Sequence, residues 1–342
     1  MKGTAAVLTH FKGRKLAALF VDGQLQDLML DSSMPATGTI YRATIDRIIK
    51  GSGGLFVKLP DGQRGFVRNA KGYTPGSSIL VQVTGFAEDG KAVPVTPKIM
   101  FKSRFVIVTA DAPGRNVSRS IKDEEERARL KTIAHEFELP PGCGLIIRSH
   151  AADASDDAVA DDISEMTTIA GAVLADTGTD VVTLLDGPDV HMRAWAEWPK
   201  PDVTDNSDEA FDAFDLADHL DALSSPVVKL GAAHAYIEPT RAMVAVDVNT
   251  GADGSLAAGL KANIALARDL PRQLRCRGLG GQITLDLAPM PKKDRRAWEQ
   301  ILKSAFRADS IDTALAGWTP LGNFELQRKR ERLPLAQIMA EL

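Results

Sequence analysis

Cysteine is scarce in this sequence, and its scarcity excludes several classes of protein. The 342 residues contain only Cys143 and Cys276, which lie far apart in apolar or helical surroundings. A disulfide framework needs more cysteines, and so does a zinc finger or ribbon within one chain. We therefore expect two reduced thiols, a cytoplasmic location and no zinc.

Long apolar runs are also missing. No segment approaches the ~18 consecutive apolar residues of a transmembrane helix, and the N-terminus lacks the apolar stretch of a signal peptide. We therefore expect no association with a membrane. The hydrophobic content of 44% and the charged content of 25% are ordinary for a globular protein.

The net charge of −4 is an average over two unlike regions. Residues 42–104 carry 11 Lys and Arg against 4 Asp and Glu, a net charge of +7. Residues 153–221 carry 2 Lys and Arg against 19 Asp and Glu, a net charge of −17. This asymmetry indicates a surface that binds a polyanion, together with an acidic region that we interpret as a solvated surface.

Two apolar segments end in carboxylates. Residues 241–251 read Met-Val-Ala-Val before Asp247 and Asn249, and residues 280–288 read Gln-Ile-Thr-Leu before Asp286. Such runs predict buried strands, and alternation places Asp247 and Asn249 on one face, ~6.6 Å apart. Two interpretations stay open. The carboxylates form a site for a hard cation such as Mg²⁺, which binds one or two carboxylates plus waters and phosphates, or each caps the loop that follows.

The stretch between these two strands predicts a helix. Apolar residues recur near helical spacing from Leu260 to Arg277, and Gly278 follows. A strand, a helix and a second strand form a βαβ-like unit, which brings both strand ends to one edge of a sheet. We therefore expect the carboxylates to meet at that edge.

The basic region predicts a small OB-type barrel, a fold that binds single strands through aromatic and basic side chains. Short strands separated by Gly, Pro and Asp turns are predicted at residues 39–45, 54–59, 64–67 and 78–83. Phe56 and Phe66 lie in these strands, and Lys91 follows the last of them. The alternative is that both phenylalanines belong to the core and that Lys91 is merely solvated.

The other predicted elements follow from turn residues and periodicity. A hairpin over residues 15–30 turns at Asp22-Gly23. Further strands are predicted at residues 105–109, 143–149 and 181–185, and further helices at residues 124–138, 163–175, 189–198 and 208–223.

Several of these motifs occur together in one known family. They are the Asp-Val-Asn at 247–249, the Arg-Gln-Leu-Arg at 272–275, two glycines followed by Asp286, and the Leu-Gly-Asn-Phe-Glu-Leu-Gln-Arg-Lys-Arg at 321–330. In this order and spacing they make the sequence resemble the bacterial ribonuclease E/G family over about residues 16–332.

The resemblance implies an α/β fold of several subdomains. An RNase H-like subdomain would contain an inserted OB-fold β-barrel and a phosphate-sensor subdomain, and a DNase I-like α/β catalytic subdomain would follow. The implied boundaries are 1–34 and 179–225 for the RNase H-like parts, 35–100 for the barrel, 101–178 for the 5′-sensor-like subdomain and 226–342 for the catalytic subdomain.

The resemblance also implies an activity. It points to an endoribonuclease that uses Mg²⁺, with Mn²⁺ as the alternative ion, and cleaves single-stranded RNA to 5′-phosphate and 3′-hydroxyl ends in RNA processing and decay. Asp247 and Asp286 would hold the metal, and Asn249 would orient the water or the ion. The residues carried over are catalytic Asp247, Asn249 and Asp286, and RNA-binding Phe56, Phe66 and Lys91.

A third set of residues matches the pocket in which the family binds the 5′-monophosphate of RNA, namely Ile107, Arg148 and Ser149. The family completes this pocket with another arginine, whereas this sequence has Asp-Ser-Ile-Asp at 309–312, with Arg307 only nearby. An aspartate there would repel a phosphate. A 5′-end sensor and a structural role for Arg148 both stay open.

The resemblance leaves the following expectations about partners. The sequence stops before the Cys-Pro-x-Cys linker through which the family shares zinc between protomers, so we expect no zinc-linked dimer. A homo-oligomer formed by another surface stays open. Two other functions also stay open, a non-catalytic RNA-binding protein that retains the fold and a metal-dependent phosphoesterase that acts on DNA.

Overall fold

The computed structural model describes residues 2–49, 53–68, 72–87 and 90–342, and the chain divides into two compact units. The first unit consists of Met1–Ser32 and Pro201–Leu342, and the second of Ser33–Lys200. Within the four described ranges, no helix is long and apolar enough to cross a membrane.

The first unit begins with three antiparallel strands, β1 (Thr4–Phe11), β2 (Arg14–Val21) and β3 (Gln24–Leu30). Lys12 and Asp22 have φ of 47° and 48°, and each precedes a glycine that also has positive φ. Such pairs form two-residue turns whose twist matches that of a hairpin. The hairpin predicted over residues 15–30 is therefore confirmed, and β1 is a strand that the sequence analysis did not predict.

The second unit begins with a closed, OB-like barrel of five strands. They are β4 (Ile40–Ile48), β5 (Leu55–Lys58), β6 (Arg64–Val67), β7 (Ser78–Val83) and β8 (Val93–Thr96). The barrel closes because β7 pairs with both β8 and β4. Inside it, a Cβ on Gly65 would lie only 2.7 Å from Val57 Cγ2, so a larger residue would not fit. The predicted barrel is confirmed, and the unpredicted β8 completes it.

A four-stranded sheet and two helices follow in the second unit. They are β9 (Met100–Lys102), β10 (Val106–Thr109), β11 (Gly114–Val117), α1 (Glu124–Glu136), β12 (Gly144–Ile147) and α2 (Asp156–Leu174). The sheet order is β11-β12-β10-β9, and both helices pack on it through one apolar core. The predicted start of α2 at residue 163 is wrong, because Ser155 caps the helix by accepting a hydrogen bond from Ala158 N.

Two short elements complete the second unit. The strand β13 (Val182–Leu185) pairs with β4, and the helix α3 (Val190–Glu197) follows it. Both lie close to the bounds predicted from the sequence.

The first unit resumes with elements that join its N-terminal strands. They are β14 (Val203–Asp205), which pairs in parallel with β1, and the helices α4 (Ala210–Ala213) and α5 (Leu216–Ser224). The prediction of a single helix over residues 208–223 is wrong. Asp215 has a left-handed backbone with φ of 49°, which interrupts the right-handed helical path.

A six-stranded sheet completes the first unit. Its elements in chain order are β15 (Val227–Leu230), β16 (Ala233–Pro239), β17 (Val244–Asn249), α6 (Leu256–Cys276), β18 (Gly281–Asp286), α7 (Arg295–Arg307), β19 (Thr313–Trp318), β20 (Phe324–Arg328) and α8 (Leu335–Ala340). The sheet order is β15-β16-β17-β18-β20-β19. One face packs against α6 and α7 through buried side chains such as Leu266, Leu270 and Trp298. We call the opposite face, which carries Asp247 and Asp286, the open face.

Candidate metal centre and nucleic-acid surface

The parallel strands β17 and β18 bring the two aspartates together. Asp247 and Asp286 are facing Cα partners in this pair, and neighbouring strands of a sheet lie about 4.8 Å apart. The βαβ unit predicted from the sequence, with α6 as its crossover, is confirmed. Two carboxylates at facing positions can reach a shared cation without any change in the backbone.

Strand alternation keeps both carboxylates out of the core. In β17, Val244, Val246 and Val248 are buried, whereas Asp247 is exposed and Asn249 half-buried. β18 repeats the pattern, with buried apolar residues and Asp286 exposed at its end. The valines bury their side chains against α6, so the polar residues between them must face the other way. The carboxylates therefore keep their charge in contact with solvent, which avoids the cost of burying it.

Asn249 holds the carboxylate of Asp247. Its Nδ2 donates a hydrogen bond of 2.8 Å to Asp247 Oδ2. The sequence analysis expected Asn249 to orient a water or an ion, whereas the contact in the structure orients the neighbouring aspartate. A hydrogen bond of this kind restricts the rotation of the carboxylate, so the other oxygen is presented in a defined direction.

The loop after Asp286 is pinned to α6 by a buried amide. Asn263 Nδ2 donates to Ala288 O at 2.8 Å, and Asn263 Oδ1 accepts from Ala288 N at 3.1 Å. Gly259 lies one turn earlier, where a Cβ would be 2.0 Å from Pro289 O, so α6 approaches this loop very closely. These contacts fix the end of β18 and with it the position of Asp286.

The oxygen ligands at this site fit a hard cation that takes only one or two of its ligands from the protein. In the part of the chain that the structure describes, no group of three or more His, Cys, Asp and Glu is arranged to hold a metal ion. Mg²⁺ does not need one, because it keeps several waters and binds through one or two carboxylates plus substrate phosphates. Asp247 and Asp286 supply such a pair of oxygen ligands.

A second polar surface lies on the outside of the barrel. Phe56 and Phe66 are facing partners in β5 and β6, with ring centroids 5.2 Å apart. Their neighbours Leu55, Val57 and Val67 are buried inside the barrel, whereas both rings are partly exposed. The alternative that the two phenylalanines belong to the core is therefore wrong. Partly exposed rings of this kind offer stacking surfaces for unpaired bases.

Cations surround the two rings, and the sequence analysis did not single them out. The Arg47 guanidinium lies over the Phe56 ring, 4.8 Å from its centroid. Lys58 and Arg64 are exposed and face each other on the same two strands, each two residues away from a phenylalanine. Alternation along β5 and β6 would have indicated them, since both share the face of Phe56 and Phe66. We call Arg47, Phe56, Lys58, Arg64 and Phe66 the barrel face.

Lys91, the third residue expected to bind RNA, lies two residues before β8 and is exposed. Its position is compatible with contact to a phosphate, because a lysine needs only access to the backbone of the RNA to act as a point charge.

Of the residues expected to sense a 5′-phosphate, Arg148 is engaged elsewhere in the second unit. Arg148 Nη1 donates to Ala196 O at 3.1 Å and also to Ser103 O. Burial lowers the pKa of Arg148. Ile107 is half-buried in β10, and Ser149 is exposed directly after Arg148. These contacts give Arg148 a structural role.

The side chain of Asp309, the first residue of the Asp-Ser-Ile-Asp at 309–312, is buried inside the first unit. Its carboxylate forms an ion pair of 2.6 Å with Arg328, and neither side chain is exposed. It also contacts Arg275. Burial lowers the pKa of Arg328, and the nearby carboxylate of Asp309 opposes that effect. Since breaking a buried pair leaves an uncompensated charge, Asp309 is held as a structural residue.

Other arginines of the recognised motifs are structural as well. Arg272 Nη1 donates to Leu25 O at 3.0 Å, and Arg275 Nη2 donates to Gln26 O at 2.6 Å. Both acceptors belong to β3, so these arginines tie the end of α6 to the N-terminal strands of the same unit. Their motif therefore stabilises the packing of α6 against β3.

Known proteins share this sequence pattern. A family model described as the Ribonuclease E/G family matches residues 100–205 and 192–331. The chain is 28% identical over 377 residues to a protein named ribonuclease E from Nostoc sp., covering 93% of the chain and 54% of that protein. It is 26% identical to ribonuclease E from Synechocystis sp., covering 96% of the chain and 57% of that protein.

A shorter relative is covered more completely. The chain is 24% identical to ribonuclease G from Salmonella typhimurium, with 98% of the chain and 82% of that protein aligned. The chain thus spans little more than half the length of the two ribonuclease E relatives, 54% and 57%.

Proposed function

The chain belongs to the ribonuclease E/G family, and on that premise we propose that it is an endoribonuclease that cleaves single-stranded RNA with a divalent cation, Mg²⁺ or alternatively Mn²⁺. The observation that carries the proposal is the facing position of Asp247 and Asp286 on parallel strands. The relatives that bear the name ribonuclease support it.

The chain's own residues prepare the reaction site in three ways. Asp247 and Asp286 would bind the cation, and the Asn249 amide holds the Asp247 carboxylate in one orientation. Asn263 fixes the loop behind Asp286. When bound, a divalent cation supplies an activated water and offsets the charge that builds on the scissile phosphate. Attack by water on the phosphorus, with the 3′-oxygen as leaving group, gives the proposed 5′-phosphate and 3′-hydroxyl ends.

The substrate is proposed to be unpaired RNA, because the barrel face combines stacking rings with cations. Phe56 and Phe66 would each accept a base, while Arg47, Lys58, Arg64 and Lys91 would meet phosphates. Stacking is tolerant of sequence, since every base has a π-face, so this surface would bind single strands without selecting one sequence. We assign the barrel and the six-stranded sheet to the OB-fold and DNase I-like subdomains of the family.

A cleavage assay tests the proposal. The full chain is incubated with a 5′-labelled single-stranded oligoribonucleotide in Mg²⁺, in Mn²⁺ and in EDTA. We expect cleavage with either ion and none in EDTA. The labelled product should be a substrate for a ligation that requires a 3′-hydroxyl end. Cleavage that persists in EDTA would show that the metal assignment is wrong.

The second candidate function is a non-catalytic RNA-binding protein with the same fold. The observation in its favour is that the described residues offer only a pair of carboxylates rather than a larger acidic cluster. Metal-dependent cleavage would exclude it. Binding of the oligoribonucleotide without cleavage in any divalent ion would establish it. A matched deoxyoligonucleotide separates both candidates from a phosphoesterase that acts on DNA.

A further inference from the structure

The strand next to the aspartates carries two rings that the proposed reaction does not use. β16 pairs with β17 so that Tyr236 faces Asp247 and His234 faces Asn249. In antiparallel pairs, facing side chains lie on the same side of the sheet with Cβ atoms about 4.5–5.5 Å apart. Tyr236 and His234 are therefore direct neighbours of the candidate metal centre.

Both rings project onto the open face. Along β16, Ala235 and Ile237 are buried in the core, whereas His234 and Tyr236 are partly exposed. The two rings contact each other edge to face, with centroids 5.3 Å apart and an interplanar angle of 85°. The two rings thus pack against each other while both remain partly exposed.

The edge strand β15 extends this surface with complementary groups. Val227 faces Tyr236, and Lys229 faces His234. Val227 is 39% exposed, and Lys229 is exposed as well. We call Val227, Lys229, His234 and Tyr236 the ring platform.

The platform divides into two rows of different chemistry. One row, Val227 and Tyr236, is apolar and aromatic and leads to the two aspartates. The other row, Lys229 and His234, carries a cation and a hydrogen-bonding imidazole and leads to Asn249. A nucleotide has the same division, since its base is flat and apolar on its faces and its phosphate is anionic.

We propose that the ring platform is a nucleotide-binding subsite beside the candidate metal centre. The base of a nucleotide next to the scissile phosphate stacks on Tyr236 against Val227, and its phosphate meets Lys229 and His234. This inference rests on the proposed function, because the nucleotide on the platform belongs to the RNA strand that would be cleaved at the two aspartates. It adds positioning residues on β15 and β16 to a site otherwise built from β17 and β18.

The platform is tested by binding in EDTA, so that no cleavage is needed. A series of otherwise identical oligoribonucleotides carries 2-aminopurine at one position each, and stacking is read from the quenching of its fluorescence. With the full wild-type chain we expect one position whose quenching depends on Tyr236. Tyr236→Ala should abolish that quenching and weaken binding roughly tenfold, the scale of one lost base–aromatic stack. Tyr236→Phe is the matched control and should keep both.

Lys229→Gln tests the phosphate row without disturbing the core, because Lys229 is exposed. The plot of log Kd against log salt should become shallower by about 0.7, the change for one lost phosphate contact on a single strand. His234→Phe retains the ring contact with Tyr236 and should lower affinity only slightly. A large fall in kcat at unchanged KM for His234→Phe would overturn the platform role in favour of proton transfer.

The outcomes separate this inference from the proposed function. If the wild-type chain cleaves RNA but Tyr236→Ala leaves quenching and affinity unchanged, the subsite is wrong and the nuclease assignment stands. If quenching depends on Tyr236 but no cation supports cleavage, the subsite stands and the nuclease assignment is wrong. A thermal unfolding measurement on each variant confirms that it is folded. If Tyr236→Ala does not fold, the Lys229→Gln variant decides the question, and a salt dependence equal to that of the wild type overturns the inference.

Discussion

The barrel and the C-terminal sheet each turn one side of a β-sheet outward, and the two surfaces have opposite chemistry. The barrel face carries two phenylalanines whose rings are in tilted contact, together with cations. The open face carries two aspartates on neighbouring strands. The first surface suits binding of a polyanion, whereas the two carboxylates of the second repel a phosphate placed directly on them unless a cation is present. The difference indicates that the barrel face contributes affinity and the two aspartates contribute chemistry, so that mutations of one group should leave the property of the other in place.

The sharpest test of this separation is the loss of a carboxylate. Asp247→Asn and Asp286→Asn keep the shape of the side chain and remove a cation ligand. We expect cleavage to fall roughly 10³-fold or more, the scale for a group on which a reaction depends, with RNA affinity in EDTA nearly unchanged. Asp218→Asn, an exposed change of the same charge on α5, serves as the control. Wild-type cleavage in either active-site variant would contradict the separation.

Asn249→Ala should have a smaller effect on the same surface. It removes the hydrogen bond to Asp247 Oδ2 but keeps both carboxylates. Loss of a group that orients a metal ligand typically lowers metal affinity or activity by about 10- to 100-fold. We therefore expect the Mg²⁺ concentration for half-maximal cleavage to rise, which a titration measures. An unchanged titration would mean that Asn249 does not position Asp247.

The barrel face should show the reverse pattern. Phe56→Ala and Phe66→Ala each remove one stacking ring, and we expect RNA affinity to fall by roughly 5- to 150-fold, corresponding to about 1–3 kcal/mol per base. Single-turnover cleavage at saturating RNA should stay close to that of the wild type. Phe66→Tyr retains a ring and is the control. A fall in the saturated rate as large as the fall in affinity would show that the barrel face also acts in the cleavage step.

The cations of the barrel face should act through salt dependence. Lys58→Gln or Arg64→Gln removes an exposed charge and leaves the rings in place. Each should make the slope of log affinity against log salt shallower by about 0.7, because one fewer phosphate is neutralised and fewer counterions are released from the single strand. Binding measured from low to high salt gives the slope. A change in affinity without a change in slope would exclude direct phosphate contact.

The smallest expected effect concerns the 5′ end of the RNA. Arg148 donates to the backbone carbonyls of Ser103 and Ala196, and Asp309 is paired with Arg328. We therefore expect matched RNAs with 5′-monophosphate and 5′-hydroxyl ends to be cleaved at equal rates. If the monophosphorylated RNA is cleaved faster and Arg148→Ala removes this difference, Arg148 does bind the 5′-phosphate.

Local pattern was enough to predict the main elements of both surfaces. Alternation in residues 243–249 indicated a strand whose polar residues share one face, and the helical spacing after Leu260 indicated the crossover. Gly and Asp turns indicated four of the five barrel strands. These signals succeed because they depend on backbone geometry within a few residues, where side-chain direction follows directly from period.

Long-range pairing could not be predicted in this way. The role of the arginines at 272 and 275 depends on β3, some 250 positions away in the chain. The break at Asp215 depends on a single left-handed residue. The fifth barrel strand, β8, is short and contains Pro94, which weakened its strand pattern.

The sequence by itself therefore determined which residues are polar at strand ends, that a helix connects the two strands, and that the family is that of ribonuclease E/G. Only the tertiary structure decided that Asp247 and Asp286 face each other in register, that Tyr236 and His234 stand beside them, and that Phe56 and Phe66 lie outside the barrel. The reason is that register and the choice of neighbouring strands are set by the packing of whole elements, and a shift of one residue would turn each of these side chains to the opposite face.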